Sequence, residues 1–182
     1  TSWRVPGGQR YRSSGEIAVE GDWSAAAFWL AANATGSNIR VEGLSEDTVQ
    51  GDRAMTELLG RSTIDASDVP DLVPALAVAA ATLPRRTVIT GAARLRLKES
   101  DRLASVADML RALGGSVEVA PDGLIIEGGA KLRGGTVNGA NDHRIVMAAA
   151  VAATVADGPV RITDAQAIGK SYPGFFRDFE KL

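Results

Sequence analysis

The 182-residue chain contains no cysteine. Disulfides, thiolate metal sites and a cysteine nucleophile are therefore excluded. It has one histidine, His143, so a multi-histidine metal centre is excluded too. Neither sign of charge dominates: 20 basic against 22 acidic residues give a net charge of −2. With a pI near 5.5, no basic field is available to hold nucleic acid or an anionic membrane non-specifically. No run approaches the ~18 uninterrupted apolar residues of a membrane span. The first residues lack the layout of a secretory signal. The composition thus reads as a soluble, cytoplasmic chain without nucleic-acid or membrane partners. What is present is 45% apolar residue and an ordinary 23% charge, enough to bury the core of one large domain or two small ones.

Three stretches of the chain look alike: residues 15–60, 62–115 and 135–179. Each reads as a strand, an Asp-headed apolar helix, a turn, a short β-branched strand, a loop and a second helix. The short strands are Asn38–Val41, Thr87–Thr90 and Val160–Thr163. Asp22, Asp71 and Asp142 head the apolar helices; Gln50, Lys98 and Lys170 head the second ones. Asp71 and Asp142 are 71 residues apart, and Lys98 and Lys170 are 72 apart. The matching separations between units one and two are only 49 and 48. The same shortfall of about 22 residues at both anchors places the missing piece between them and the next unit. In unit two that piece reads as a hairpin, Ser116–Ala120 and Leu124–Glu127 about a Pro121-Asp122-Gly123 turn. In unit one Gly60 runs straight into Arg61, which implies a deletion or a break in the described chain.

The three apolar helices carry almost no polar face beyond their first turn, the pattern of buried helices. Ala27, Leu30, Ala77, Ala80, Met147 and Ala150 are candidate core positions. Glu99–Leu113 is instead amphipathic, with Leu103, Val106, Leu110 and Leu113 on one stripe, Asp108 and Arg111 facing away, and Gly114 ending it. The pattern predicts an α/β (α+β) domain with pseudo-threefold symmetry around three buried helices. A two-layer α/β sandwich is the simpler alternative.

Each buried helix begins with polar residues after a turn. Helix capping is the ordinary role of Asp there. Under threefold symmetry the helix N-termini share one face, which would favour phosphate and carboxylate groups. Lys98, Glu99 and Arg102 crowd the start of the second unit's second helix, and Glu99 and Arg102 share a helical face. A solvated charge cluster is the plainer reading of these three, as a surface lysine is of Lys170.

Together, Lys-Glu-Ser-Asp-Arg-Leu (98–103), Asn-Asp-His-Arg with a following Met (141–147), Val-Pro-Asp (69–71), Gly-Lys-Ser-Tyr-Pro (169–173) and Val-Glu-Gly-Asp-Trp-Ser-Ala-Ala (19–26) resemble one family. It is the 5-enolpyruvylshikimate-3-phosphate synthase (3-phosphoshikimate 1-carboxyvinyltransferase) family, and the resemblance is to its C-terminal half. It implies a domain of three βαβαββ repeats around buried parallel helices, the first repeat here lacking its hairpin. It implies transfer of the enolpyruvyl group of phosphoenolpyruvate to the 5-hydroxyl of shikimate 3-phosphate with release of phosphate, a step of the shikimate pathway to aromatic amino acids. No metal or cofactor is called for, because a C–O bond breaks and phosphate leaves intact.

The resemblance further implies that residues 1–14 arrive from an N-terminal domain and that 15–182 form one domain. The substrates would bind between the two. The motifs carry over Asp71 as base and shikimate 3-phosphate contact, Glu99 as acid, and Lys98 as a second shikimate 3-phosphate contact. A closed, desolvated cleft would suit a carboxyl acting as acid. Arg102, Arg144 and Lys170 carry over as phosphoenolpyruvate contacts, since guanidinium forks suit carboxylate and phosphate. His143, adjacent to Arg144, is either directly catalytic or a helix-start histidine that orients its neighbours. Arg94 stands where the family often has Asn, so that contact is not carried over. A UDP-N-acetylglucosamine enolpyruvyl transferase, or an isolated domain without turnover, are the alternatives; an RNA-processing cyclase is disfavoured by the acidic pI.

Overall fold

Each alanine-rich run becomes a helix walled in by the other two. In the computed structural model, which describes residues 2–181, α1 spans Trp23–Ala34, α2 Met55–Leu58 and α3 Val73–Thr82. Helix α4 spans Arg102–Ala112, α5 His143–Ala153 and α6 Phe175–Phe179. Helices α1, α3 and α5 pack against one another as the central bundle. Ala27, Ala77, Ala80, Met147 and Ala150 are buried there, as their apolar surroundings in the sequence imply. Leu30 departs from expectation: it is only half-buried, in the one unit with no strand ladder to cover it. None of the helices is long and apolar enough to cross a membrane.

The strands are β1 (Thr63–Asp65), β2 (Thr87–Thr90), β3 (Ser116–Ala120), β4 (Gly123–Glu127), β5 (Arg133–Asn138) and β6 (Asp157–Thr163). The second unit is a complete βαβαββ module with sheet order β1-β2-β4-β3. Strands β1 and β2 run parallel, and β4 joins β2 antiparallel. The hairpin lies where the sequence predicts it, and Gly123 is what admits it: a Cβ there would overlap the Ile89 carbonyl of β2. The third unit contributes the parallel pair β5–β6, which contains the predicted Val160–Thr163.

The first unit differs from its siblings. Among the described residues no strand precedes β1, so the predicted strand Asn38–Val41 does not form. The Asn33 side-chain amide bonds the Ile39 N–H and carbonyl, both at 2.7 Å, in place of a neighbouring strand. Gly60 and Arg61 are joined by a tight turn: Gly60 has φ +77°, and the Arg61 N–H donates to the Leu58 carbonyl at 3.1 Å. The hairpin is therefore absent from this unit.

The second helices are shorter than predicted. Asp101 caps α4 by accepting the Ala104 N–H at 3.1 Å, so the helix begins at Arg102 rather than Glu99 and ends at Ala112. Its buried stripe is otherwise as read: Leu103, Val106, Leu110 and Leu113 are inside, while Asp108 and Arg111 are exposed. Gln50 precedes a 3-10 turn (Gly51–Ala54) leading into α2. Lys98 follows the turn Ala93–Leu97, and Lys170 closes the turn Ala165–Lys170. None of the three heads a long helix.

The burial pattern sets a stability order. Leu76→Ala, in the middle of α3, should destabilise the chain by about 2–5 kcal/mol, the usual range for emptying a closed core site. Leu30→Ala should cost clearly less. Urea melts of the two variants check this, and equal losses would contradict the half-buried setting of Leu30.

Candidate functional site

Two of the three matching aspartates cap their helices and the third does not. Asp22 caps α1, accepting the Ser24 N–H at 2.9 Å. Asp142 caps α5, accepting the Arg144 N–H at 2.9 Å. Asp71 caps nothing; it lies in a 3-10 turn, Pro70–Leu72, one step before α3. Its carboxylate is left free to face the start of α4 and the start of α5.

Arg102 stands at the centre and is only 1% exposed. Its Nε donates to Asp142 Oδ2 at 2.7 Å and one terminal nitrogen to Asp142 Oδ1 at 3.2 Å. The same nitrogen reaches Glu99 Oε2 at 2.5 Å, and the other reaches Asp71 Oδ1 at 2.8 Å. Ser100 adds a hydroxyl to Asp142 Oδ2 at 3.1 Å. A planar guanidinium can serve three carboxylates at once; a lysine ammonium lacks that fork.

The remaining cations surround this core. Lys98 Nζ lies 3.1 Å from Asp71 Oδ1. Arg144 donates to the Asp71 carbonyl at 3.0 Å, with its other terminal nitrogen 3.6 Å from Oδ2. Lys170 Nζ donates to the Asn141 carbonyl at 2.5 Å, beside the α5 cap. His143 is buried, its Nδ1 lacks a hydrogen-bond partner, and it stands 3.9 Å from both Glu99 and Asp142. The α1 and α5 starts meet at a small cavity of about 40 Å³ lined by Asp22, Ser24, His143, Arg144 and Ser171.

Four cations thus face three carboxylates on the side where the helices begin. Burial pushes the Asp71 carboxyl up, but Arg144, Lys98 and Arg102 outweigh it and hold the group below its ordinary value. Burial likewise acts against ionised Asp142, and the Arg102 fork overrides it. For His143, burial pushes the imidazole down, and Arg144 and Arg102 add to it against the pull of Asp142 and Glu99. The face thus carries four cations against three carboxylates, with Asp71 and Asp142 held ionised and a neutral imidazole among them. Among the described residues, no cluster of His, Asp and Glu is arranged to hold a metal ion.

The structure brings together Asp71, Lys98, Glu99, Arg102, His143 and Arg144, and sets Lys170 beside them. Sequence reasoning missed the part played by Asp142 and Ser100 in anchoring Arg102. Both lie inside quoted motifs, but capping accounted for the first and nothing singled out the second. Arg102 also sits deeper than its role as a ligand contact implied: its donors are engaged by carboxylates.

A family profile described as "EPSP synthase (3-phosphoshikimate 1-carboxyvinyltransferase)" matches residues 1–66 and 59–179. The two matches meet where unit one lacks its hairpin. The 3-phosphoshikimate 1-carboxyvinyltransferase of Clostridium novyi is 41% identical over 196 positions, covering 96% of this chain and 45% of the relative. That of Clostridium acetobutylicum is 40% identical over 200 positions, covering all of this chain and 46% of the relative. Those 200 positions exceed the 182 residues of the chain, as a missing segment requires. A solved EPSP synthase from Acinetobacter baumannii superposes with a TM-score of 0.80 at 28% identity, covering 90% of this chain and 46% of that one. The chain spans about half the length of the relatives it matches.

Two outcomes follow from the geometry. Arg102→Leu leaves Asp142 buried without its cation, and should destabilise the fold by about 3–5 kcal/mol in denaturant melts, the range for breaking one side of a buried pair. Acid should weaken the fold in two stages. His143 is depressed below 6.5, so the unfolded chain takes the proton first, and stability falls as pH drops from 6.5 through the folded value. Asp71 and Asp142 are depressed below 3.8, so their contribution is intact above that value and lost beneath it. Melts across pH should show the upper stage vanish in His143→Gln, the lower one remaining.

Proposed function

The chain belongs to the EPSP synthase family, and from that premise we propose that it supplies one wall of an enolpyruvyl-transfer site. The opposite wall comes from an N-terminal domain reached through residues 1–14. The substrates are phosphoenolpyruvate and shikimate 3-phosphate. The single observation that carries this reading is one cluster in which Asp71 and Glu99 meet the buried Arg102 fork while Lys98 and Arg144 close on Asp71.

The chemistry needs a proton removed from the attacking hydroxyl and one added to the methylene carbon of phosphoenolpyruvate. The hydroxyl oxygen then bonds to the enol carbon; the C–O bond to phosphate breaks with its electron pair leaving on phosphate, and the new methyl group loses a proton to restore the double bond. Asp71, held ionised, accepts a hydrogen bond from the hydroxyl at once. It is a weak base while three cations hold it. Drawing Lys98 and Arg144 onto the substrate anions loosens that hold and lets Asp71 take the proton. Lys98 then steadies shikimate 3-phosphate, and Arg144 and Lys170 grip phosphoenolpyruvate.

Arg102 reaches phosphoenolpyruvate by exchange. An incoming carboxylate replaces Glu99 on the fork, one carboxylate for another; the freed Glu99, without its cation, takes up a proton from solvent and then faces the methylene carbon as the acid. Neutral His143, its Nδ1 unpartnered and 3.9 Å from Glu99, is placed to share a hydrogen bond with Glu99 once the fork releases it. Under this reading the whole reaction is anion positioning plus three proton transfers: off the hydroxyl, onto the methylene carbon, and back off the methyl group as phosphate leaves.

In a complete enzyme carrying these residues, Glu99→Gln should lower kcat by roughly 10²–10⁴, the worth of a positioned acid. Arg144→Ala should chiefly raise KM for phosphoenolpyruvate. Steady-state phosphate release reads both, and wild-type kinetics in Glu99→Gln would remove it from the acid role. The 182-residue chain alone should release phosphate far more slowly than the chain supplied with a related N-terminal half, because positioning between two walls contributes on the order of 7–11 kcal/mol when complete.

A further inference from the structure

The loop that presents Lys98 and Glu99 has no backbone support of its own. Among the described residues, no N–H or carbonyl of Lys98, Glu99 or Ser100 bonds to the rest of the backbone. The turn Ala93–Leu97 ends without a capping bond, and α4 starts only at Arg102. A segment of this kind opens easily unless its two ends are fixed.

One side chain outside the reacting set fixes both ends. Arg96 Nε donates to the Pro121 carbonyl at 3.2 Å, and one terminal nitrogen donates to the Ala120 carbonyl at 2.9 Å. The other terminal nitrogen donates to Asp101 Oδ2 at 3.0 Å, five residues further on. The second Asp101 oxygen is the one that caps α4. Arg96 therefore joins the turn of the β3–β4 hairpin, the near end of the loop and its far end. The same hairpin turn grips the chain upstream: the Asp122 carbonyl accepts the Ala92 N–H at 2.7 Å, and its carboxylate accepts the Gly91 N–H at 3.2 Å. An isolated surface ion pair contributes little. Here the two side chains are only 36% and 39% exposed, and two carbonyls fix the guanidinium fork before the carboxylate is added.

The first unit, without a hairpin, holds its loop differently. Gln50, the counterpart of Lys98, folds back onto the head of α1: its amide nitrogen donates to the Gly21 carbonyl and its amide oxygen accepts the Trp23 N–H, both at 2.9 Å. We propose that Arg96 is a positioning residue for the site and that the β3–β4 hairpin is its anchor. The turn holds Arg96, Arg96 holds Asp101, and the span between them displays Lys98 to Asp71 and Glu99 to Arg102. The hairpin of unit two thus serves the site, whereas the chain's path can do without one, as unit one shows. The clamp stands on this geometry alone; its effect on turnover rests on the reaction proposed above.

Limited digestion with endoproteinase Lys-C tests the clamp in the 182-residue chain. Lysines stand only at 98, 131, 170 and 181, so cutting at Lys98 reports the loop and cutting at the exposed Lys131 is the internal control. Arg96→Gln removes the fork, and Asp101→Asn keeps a capping oxygen while removing the charge. Each should speed cleavage at Lys98 relative to Lys131 at least roughly tenfold, because proteolysis follows the population of the open form. Cleavage that rises in step at both sites assigns Arg96 to the fold as a whole and overturns the proposal, and so does an unchanged ratio. With a related N-terminal half supplied, Arg96→Gln should lower kcat by about 10²-fold, the cost of a small misplacement. Arg111→Gln loosens the hairpin elsewhere, at the Val117 carbonyl 2.9 Å away, and should leave kcat unchanged. Equal losses in the two variants, or none in Arg96→Gln, overturn the positioning role. A wild-type pair that releases no phosphate refutes the reaction, and the cleavage ratio still decides the clamp.

Discussion

Everything at the working face hangs on one buried guanidinium. A charge taken out of water must be compensated where it lands, and Arg102 is compensated by carboxylates drawn from three places in the chain: Asp142 at the head of α5, Asp71 before α3, and Glu99 just upstream of α4. The fork therefore ties the second unit to the third at the point where their helices begin. It also decides which charges remain available. With Arg102 engaged inside, Lys98, Arg144 and Lys170 are the cations left nearer solvent, and they set the sign of the face. The alanine bundle beneath supplies the other half of the constraint, because only small side chains let three helix starts come this close.

Much of this was legible in the sequence, and for identifiable reasons. Helices that are apolar all round must be buried, so α1, α3 and α5 could be read from their alanines. The hairpin announced itself through Pro121-Asp122-Gly123 between two apolar alternations. The site residues were singled out because their motifs matched a family, and the structure gathers Asp71, Lys98, Glu99, Arg102, His143 and Arg144 into one cluster with Lys170 beside it. What pattern could not reveal was depth. Glu99 and Arg102, three apart, suggest a surface pair; only tertiary packing shows that Asp142 lies beneath Arg102 and pulls it inward.

The boundary errors have equally local causes. Asp101 is the residue that caps α4, and a cap immediately inside a run of charged residues shifts the helix start by three positions. Asn38–Val41 has the β-branched pattern of a strand, but a strand is a property of two segments. With Asn33 answering Ile39 and residues 2–20 exposed rather than packed alongside, the pattern has no partner to realise it.

The absent hairpin says something about how such a fold tolerates editing. In the second unit the hairpin leaves and returns at one spot, with Ser116 opposite Glu127. A detour whose two ends are neighbours can be excised without rerouting anything else, and a glycine turn like that at Gly60 is enough to splice the ends. Each unit is in this sense a module with a detachable wing, while the helices that meet at its centre cannot be removed singly. Length changes in this architecture should accordingly accumulate in the wings, where they leave the chain's path through the core untouched.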